Sequence, residues 1–374
     1  MNIAFYAPMK PPDADRPSGD RTIGRLLMAA LTHAGCDVRL ASRLRTWSGV
    51  PDSTRLDAFR AQADHEAEAL IASYTGGDQG WRPDVWITYH DYYKAPDLLG
   101  ARIATGLDIP YVIAEASYSA RRAHGPWAEW LSAARAGIGA ADAIFNFTAR
   151  DRAGLADICA VERLHRLPPF LDLDATRPSV APSLKGARGS SPTTRLVTVA
   201  MMRPGAKLAS YQLLADSLAA LNDLDWHLDI VGDGEARQTV EAAFAMLPAE
   251  RLCFHGRLDG ASIRAVLASG DLFVWPGLEE AFGMAYLEAQ AAGLPVAALR
   301  TAGVPEVVRH AETGCLADEA TPQALAACIG GLINDPDQRR RLGATAQAGV
   351  EEHHSLPAAS AVLGRVLRQL VVPV

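Results

Sequence analysis

The chain predicts an α/β protein built as two doubly wound units in series, and three observations predict it. Its 374 residues exceed what one hydrophobic core usually supports. Short apolar or β-branched runs alternate with longer helical patterns, the order of a parallel sheet wrapped by helices. That alternation breaks once, at 177–194, where RPSVAPSLKGARGSSPTT is dense in Pro, Gly and Ser and lacks apolar periodicity, so it reads as a linker.

The elements follow in order. Residues 3–7 read as the first strand, followed by a Pro/Gly/Asp loop and a helix over 22–34 that closes at Gly35. Later strands are expected at 38–41, 85–89, 111–114 and 143–147, each short, apolar or β-branched and followed by a polar or glycine-bearing turn. Beyond the linker the pattern restarts with strands at 196–200, 226–231, 252–255, 272–275 and 295–299, and a closing helix covers 357–370. The expected division is 1–180 and 181–355, with a cleft between the two units.

Composition removes several function classes. Net charge is −7, divided as −2 over 1–180 and −5 over 181–374. Neither half carries the positive surplus that neutralises nucleic-acid phosphates, so no nucleic-acid partner is expected. The five cysteines are odd in number, widely spaced and without a C-x-x-C pair, which argues against a disulfide framework or structural zinc and suits a reducing compartment. The start MNIAFY has no basic leader, and no run reaches the roughly 18 to 20 apolar residues of a membrane span, so a cytoplasmic chain is expected.

The most informative stretch is WPGLEEAFGMAYLEAQAAGLPV at 275–296. A strand ends at Trp275-Pro276, and a loop with two carboxylates leads into a helix expected to open at Phe282-Gly283 and stop at Gly293. The amides of Phe282, Gly283 and Met284 are orphan donors at the positive end of a helix dipole, on the carboxyl side of a strand. There an open α/β sheet binds phosphate. Glu288 lies within a helix of small and apolar residues; it has a structural mate there or points into a polar cleft. Carboxylates beside an anion-seeking helix start fit a ligand with both phosphates and hydroxyls. Arg203 and Lys207, after the strand at 196–200, supply cations to clamp a diphosphate or form a solvated ion pair.

These residues resemble the donor-binding half of the family-four retaining glycosyltransferases. Glu280 to Glu288 matches the family's E-x7-E motif, and 289–296 continues its E-A-x-A-x-G-x-P-V run. LDIVGDGE at 228–235, FHGRL at 254–258 and AGVPEVV at 302–308 resemble three further family stretches in the same order, with Ala302 replacing a glycine. In the first half the match is looser. Gly19 resembles the end of the family's glycine-rich loop, with Ser18 or Asp20 replacing its second glycine, DVWITYH at 84–90 resembles a family strand ending in His90, and Pro169 replaces the asparagine usual in the P-N-G-V-D stretch. Where many members place a histidine, this chain has Glu115, Ala116 and Ser117.

The resemblance implies the GT-B fold, two Rossmann-like domains facing each other across a cleft, with the helix at 356–374 returning to the first. It implies transfer of a hexosyl unit, with retention, from a nucleoside-diphosphate sugar to an unidentified glycan, lipid or small molecule, with no cofactor and no metal. Glu280 would contact the donor sugar, Glu288 the ribose hydroxyls, and Phe282, Gly283 and Met284 the sugar and β-phosphate. Arg203 and Lys207 would neutralise the diphosphate. Gly232, Arg257 and Leu258 would border the nucleotide, while Gly19, Asp20, His90 and Glu115 would face the acceptor.

Other readings remain beside these. The four Asp-x-Asp triplets are scattered in loops and read as chance. Gly232-Asp233-Gly234 lacks the third glycine of a dinucleotide fingerprint. Arg121 and Arg122 with Trp127 and Trp130 fit a half-exposed helix, an anionic acceptor or a weak peripheral membrane contact. A nucleotide-sugar epimerase and a non-catalytic nucleotide-sugar binding protein are the rival functions.

Overall fold

The computed structural model describes residues 1–16, 18–76, 80–176, 193–281 and 283–371. It divides into two compact units, Met1–Pro168 with Leu356–Val374, and Pro169–Ser355. The division falls upstream of the expected 180/181 boundary. Leu171 and Leu173 pack into the core of the second unit, and the Leu171 amide donates to the His354 carbonyl at 2.8 Å. The expected linker at 177–194 lies outside the described residues except for its last two.

The first unit holds strands β1 (Asn2–Tyr6), β2 (Asp37–Leu40), β3 (Val85–Asp91), β4 (Tyr111–Ala116), β5 (Ala143–Asn146) and β6 (Leu164–Arg166), in the order β2-β1-β3-β4-β5-β6, all parallel. Its helices are α1 (Gly19–His33), α2 (Ser53–Thr75), α3 (Gly100–Leu107), α4 (Ala128–Ala140) and α5 (Ala149–Ala156). The strands read as continuous apolar runs because helices cover both faces. Ile3, Phe5, Val85, Trp86, Val112 and Ile113 are fully buried. Helix α1 starts three residues before expectation because the Ser18 hydroxyl accepts from the Arg21 amide and caps it.

The second unit contains α6 (Leu173–Thr176), then β7 (Thr194–Val199), β8 (Trp226–Val231), β9 (Leu252–Gly256), β10 (Leu272–Val274), β11 (Val296–Leu299) and β12 (Gly314–Ala317), in the parallel order β12-β11-β10-β7-β8-β9. Its other helices are α7 (Ala206–Ala219), α8 (Arg237–Phe244), α9 (Gly260–Ser269), α10 (Met284–Ala291), α11 (Pro322–Asn334) and α12 (Pro336–His353). The last helix, α13 (Leu356–Val371), belongs to the first unit, where His33 Nδ1 lies 3.1 Å from the Ser360 hydroxyl.

Each sheet reverses direction next to its first strand, between β1 and β3 and between β7 and β10. The crevice outside the carboxyl ends at such a reversal is where open α/β sheets hold ligands. One expectation is corrected. Cys315 of β12 and Cys328 of α11 are disulfide-bonded, their Cα atoms 5.6 Å apart, so the cysteines are not all unpaired thiols. Their separation of 13 residues hides the pairing in the sequence, because only the packing of α11 on β12 brings them together. Cys36, Cys159 and Cys253 are free. Among the described residues no helix is long and apolar enough to cross a membrane.

Candidate active site

In the second unit the expected donor residues follow the carboxyl ends of four adjacent strands. Arg203 and Lys207 come after β7, Gly232 after β8, Arg257 and Leu258 after β9, and Glu280, Gly283, Met284 and Glu288 after β10. Phe282 lies outside the described residues. The helix expected to open at Phe282-Gly283 begins at Met284, with Gly283 as its cap in a left-handed conformation (φ 60°). A Cβ at Gly283 would stand 2.5 Å from the Tyr286 ring and 2.9 Å from Glu280 Cγ, so glycine is the residue that fits.

Lys207 and Glu280 meet at the reversal, the ammonium donating to Glu280 Oε2. The Lys207 ammonium also lies 5.4 Å from the Trp275 ring centroid. The loop carrying Glu280 is pinned. Leu278 N donates to the Ser210 hydroxyl at 3.1 Å, Glu280 N to Gly277 O at 3.1 Å, and Gly303 N to Glu280 O at 3.0 Å. Arg203 is exposed and makes no ion pair among the described residues. The sequence left open whether these cations clamp a diphosphate or form an ion pair; Lys207 forms one, with Glu280.

The Glu288 carboxylate has no hydrogen-bond partner among the described residues, while its backbone carbonyl accepts from the Ala292 amide at 3.2 Å. It lines a cavity of about 320 Å³ with Gly260, Ile263 and Arg264 of α9 and Ala291 of α10. Burial pushes its carboxyl up to about 6, against the opposing charge of Arg264.

In the first unit Asp20, His90 and Glu115 come together, and Gly19 opens the helix that carries Asp20. His90 Nδ1 lies 3.2 Å from Asp20 Oδ1. β3 and β4 pair Tyr89 with Ala114 and Asp91 with Ala116, so His90 and Glu115 occupy matching positions on neighbouring strands. Both are non-glycine residues at positive φ, 67° and 63°. Such strain costs on the order of 1–3 kcal/mol at each position and clusters at functional sites. The Tyr89 hydroxyl and Glu115 Oε2 are buried without a hydrogen-bond partner. Burial works against a charged His90, but Glu115, Asp20 and Asp151 outweigh it and raise the imidazole above its ordinary value. Burial raises the Glu115 carboxyl, with His90 opposing.

One cluster escaped the sequence reading. Asp229, Cys253 and His255 bring donor atoms within 4.8 Å of one another, a metal-ligand spacing. The buried Asp229 carboxylate already has its partners, His255 Nε2 at 2.7 Å and Arg195 at 3.1 Å. The i, i+2 placement of Cys253 and His255 on β9 was its only sequence signal.

Comparison with known proteins follows the same division. Residues 193–335 match the family model "Glycosyl transferases group 1". Over 137 residues the chain is 34% identical to the GDP-mannose-dependent alpha-(1-6)-phosphatidylinositol dimannoside mannosyltransferase of Mycobacterium tuberculosis, covering 36% of this chain and 35% of that one. Over 126 residues it is 32% identical to the sulfoquinovosyl transferase SQD2 of Arabidopsis thaliana, covering 33% and 24%. The matched stretch therefore spans about a third or less of those relatives. In fold, sucrose-phosphate synthase from Thermosynechococcus elongatus aligns over 99% of this chain and 98% of its own, with a TM-score of 0.72 at 21% identity. Anabaena HepE in complex with UDP-glucose aligns over 99% and 100%, with a TM-score of 0.69 at 18% identity. The two parallel six-stranded sheets have the GT-B architecture of these neighbours, and the glycosyl transferases group 1 match lies within the second unit.

Proposed function

We propose that the protein is a retaining glycosyltransferase that moves a hexosyl unit from a nucleoside-diphosphate sugar to an acceptor hydroxyl, without a metal ion. The observation that carries this reading is the Lys207–Glu280 pair at the reversal of strand order in the second unit, followed in the chain by the helix that carries the unpaired Glu288 carboxylate. Glu288 takes the ribose hydroxyls and Glu280 a hydroxyl of the donor sugar. The Gly283 and Met284 amides face the β-phosphate. Lys207 and Arg203 carry the negative charge that develops when the bond from the anomeric carbon to the phosphate oxygen breaks. The acceptor oxygen bonds to that carbon on the same face, and its proton passes to the departing phosphate. Asp20, His90 and Glu115 hold the acceptor. Most of the rate then comes from positioning and leaving-group stabilisation, with no protein nucleophile.

Incubation with UDP-, GDP- and ADP-sugars tests this reading. Release of free nucleoside diphosphate, unaffected by EDTA, is the expected result. A new epimer of the sugar, or binding without turnover, points to the rival functions. Glu280→Gln should lower turnover by about 10² or more without unfolding the chain. Lys207→Ala should weaken nucleoside-diphosphate binding about 10- to 100-fold, the worth of one charge-assisted hydrogen bond. Unchanged values for both variants would remove the pair from the mechanism.

A further inference from the structure

A continuous aromatic and cationic surface leads away from His90 in the first unit, and the transfer reading leaves it unused. The His90 ring stacks on Tyr92 with centroids 4.6 Å apart. Tyr92 meets Tyr93 edge-on at 5.4 Å, and Tyr93 meets Trp127 at 5.0 Å. Three cations lie over these rings or beside them. Arg122 stands 4.0 Å above Tyr93, and Lys94 lies 5.7 Å from Tyr93 and 5.6 Å from Trp127. Arg45 lies 5.8 Å from Trp47, whose ring is 39% exposed. The Ser48 amide donates to the Lys94 carbonyl at 2.8 Å and ties the Trp47 loop to this surface.

In a chain of net charge −7, some cations of this unit, Arg39, Arg43, Arg60 and Arg102, pair with carboxylates. Arg45, Lys94 and Arg122 pair with none among the described residues. Their neighbours are aromatic rings and, for Arg45, the Met9 carbonyl at 3.0 Å. Tyr93 and Trp127 are half-buried and Trp47 is exposed, and a cation resting on such a ring is held more weakly than one in a charge-assisted hydrogen bond, so an arriving anion takes it at little cost. Rings also offer flat apolar faces to the C–H faces of sugars.

We propose that Trp47, Tyr93, Lys94, Arg122 and Trp127 bind an anionic oligosaccharide, a chain of sugar rings bearing phosphate, sulfate or carboxylate groups, whose end reaches His90. The assignment rests on the reading of Asp20, His90 and Glu115 as the acceptor side. A neutral glycan would leave three cations unanswered. A lipid surface would need a broad exposed apolar face, and among the described residues the large apolar side chains exposed near this surface are only Trp47 and Val50.

The test is titration calorimetry of the full chain with a sulfated pentasaccharide and with neutral maltopentaose, at low and at moderate salt. The sulfated probe should bind at least tenfold more tightly, with an affinity that falls as salt rises. The double variant Lys94→Ala/Arg122→Ala should lose at least tenfold of that affinity and most of the salt dependence, whereas Arg122→Lys should retain most of both. Thermal shifts with UDP, GDP and ADP serve as the control and should be the same in all variants. Equal affinity for both probes, no binding of either, or binding only to phosphatidylglycerol vesicles would overturn the proposal. Loss of every nucleotide shift, with Lys94 and Arg122 still governing saccharide binding, would sink the transferase reading and leave this surface standing.

Discussion

Glu288 shows how burial shifts a single carboxyl. Its carboxyl is neutral more readily in the folded protein than in the unfolded chain, since burial lifts it to about 6 from an ordinary value of 4.5. The sign follows from proton linkage. The folded state binds the proton more tightly, so its stability relative to a non-titrating variant is greatest below pH 4.5 and falls as pH rises through 6. Glu288→Gln should therefore stabilise the unliganded protein by about 1–2 kcal/mol at pH 7.5 and by almost nothing at pH 4, while weakening nucleotide binding. Urea unfolding of both proteins at the two pH values checks this, and an equal difference at both would show that the charge is not the cause. The E-x7-E spacing made Glu280 and Glu288 legible. The mate of Glu280 was not, because Lys207 lies 73 residues away and meets it only where β7 and β10 adjoin.

At the scale of elements, the turns after the strands set how closely a ligand reaches the backbone. After β8, Gly232 and Gly234 have φ of 152° and 156°. A Cβ at Gly232 would stand 1.9 Å from the Ala200 carbonyl oxygen, and one at Gly234 would stand 2.2 Å from that of Met202. Backbone cannot yield as a flexible side chain does. Gly232→Ala should cost about 2 kcal/mol or more and weaken nucleotide binding by shifting the turn after β7. Chemical denaturation and a nucleotide thermal shift measure both effects, and a variant of wild-type stability would mean that the turn tolerates the methyl group. The buried strands were readable as apolar runs, and β8 matched at both ends. Three elements were not readable. β6 and β12 have three and four residues, too few for a pattern, and α2 buries only Leu56, Ala63 and Ala67 along 23 residues. Nor does the sequence show that His90 and Glu115 adopt strained left-handed conformations, because strain of that kind is imposed by the neighbouring strand.

For the whole molecule, the chain leaves its first unit and comes back to it. Helix α13 buries Leu363, Val366 and Leu367, and it approaches α1 so closely that a Cβ on Gly364 would lie 3.3 Å from Ala34 Cβ. The first unit is thus assembled from both ends of the sequence. Leu367→Ala, at a fully buried position, should destabilise that unit by about 2–5 kcal/mol. Nucleoside-diphosphate binding, proposed for the second unit, should keep its affinity while the first unit holds. Limited proteolysis should then cut first within 1–168. Early cleavage within the second unit would contradict the division. The apolar periodicity of 357–370 announced this helix, but its own residues do not say which unit it covers, since an apolar stripe packs on any complementary face.

By itself the sequence determined the two doubly wound sheets, most of their strands, and the resemblance of the second unit to a glycosyltransferase domain. These depend on local periodicity and on short motifs, which a linear chain carries in full. The tertiary structure alone decided that Lys207 answers Glu280, that the Glu288 carboxylate has no hydrogen-bond partner among the described residues, that Cys315 and Cys328 are bonded, and that His90 and Glu115 lie side by side under strain. Each is a relation between residues far apart in the chain, and it exists only after strand order has brought their ends together.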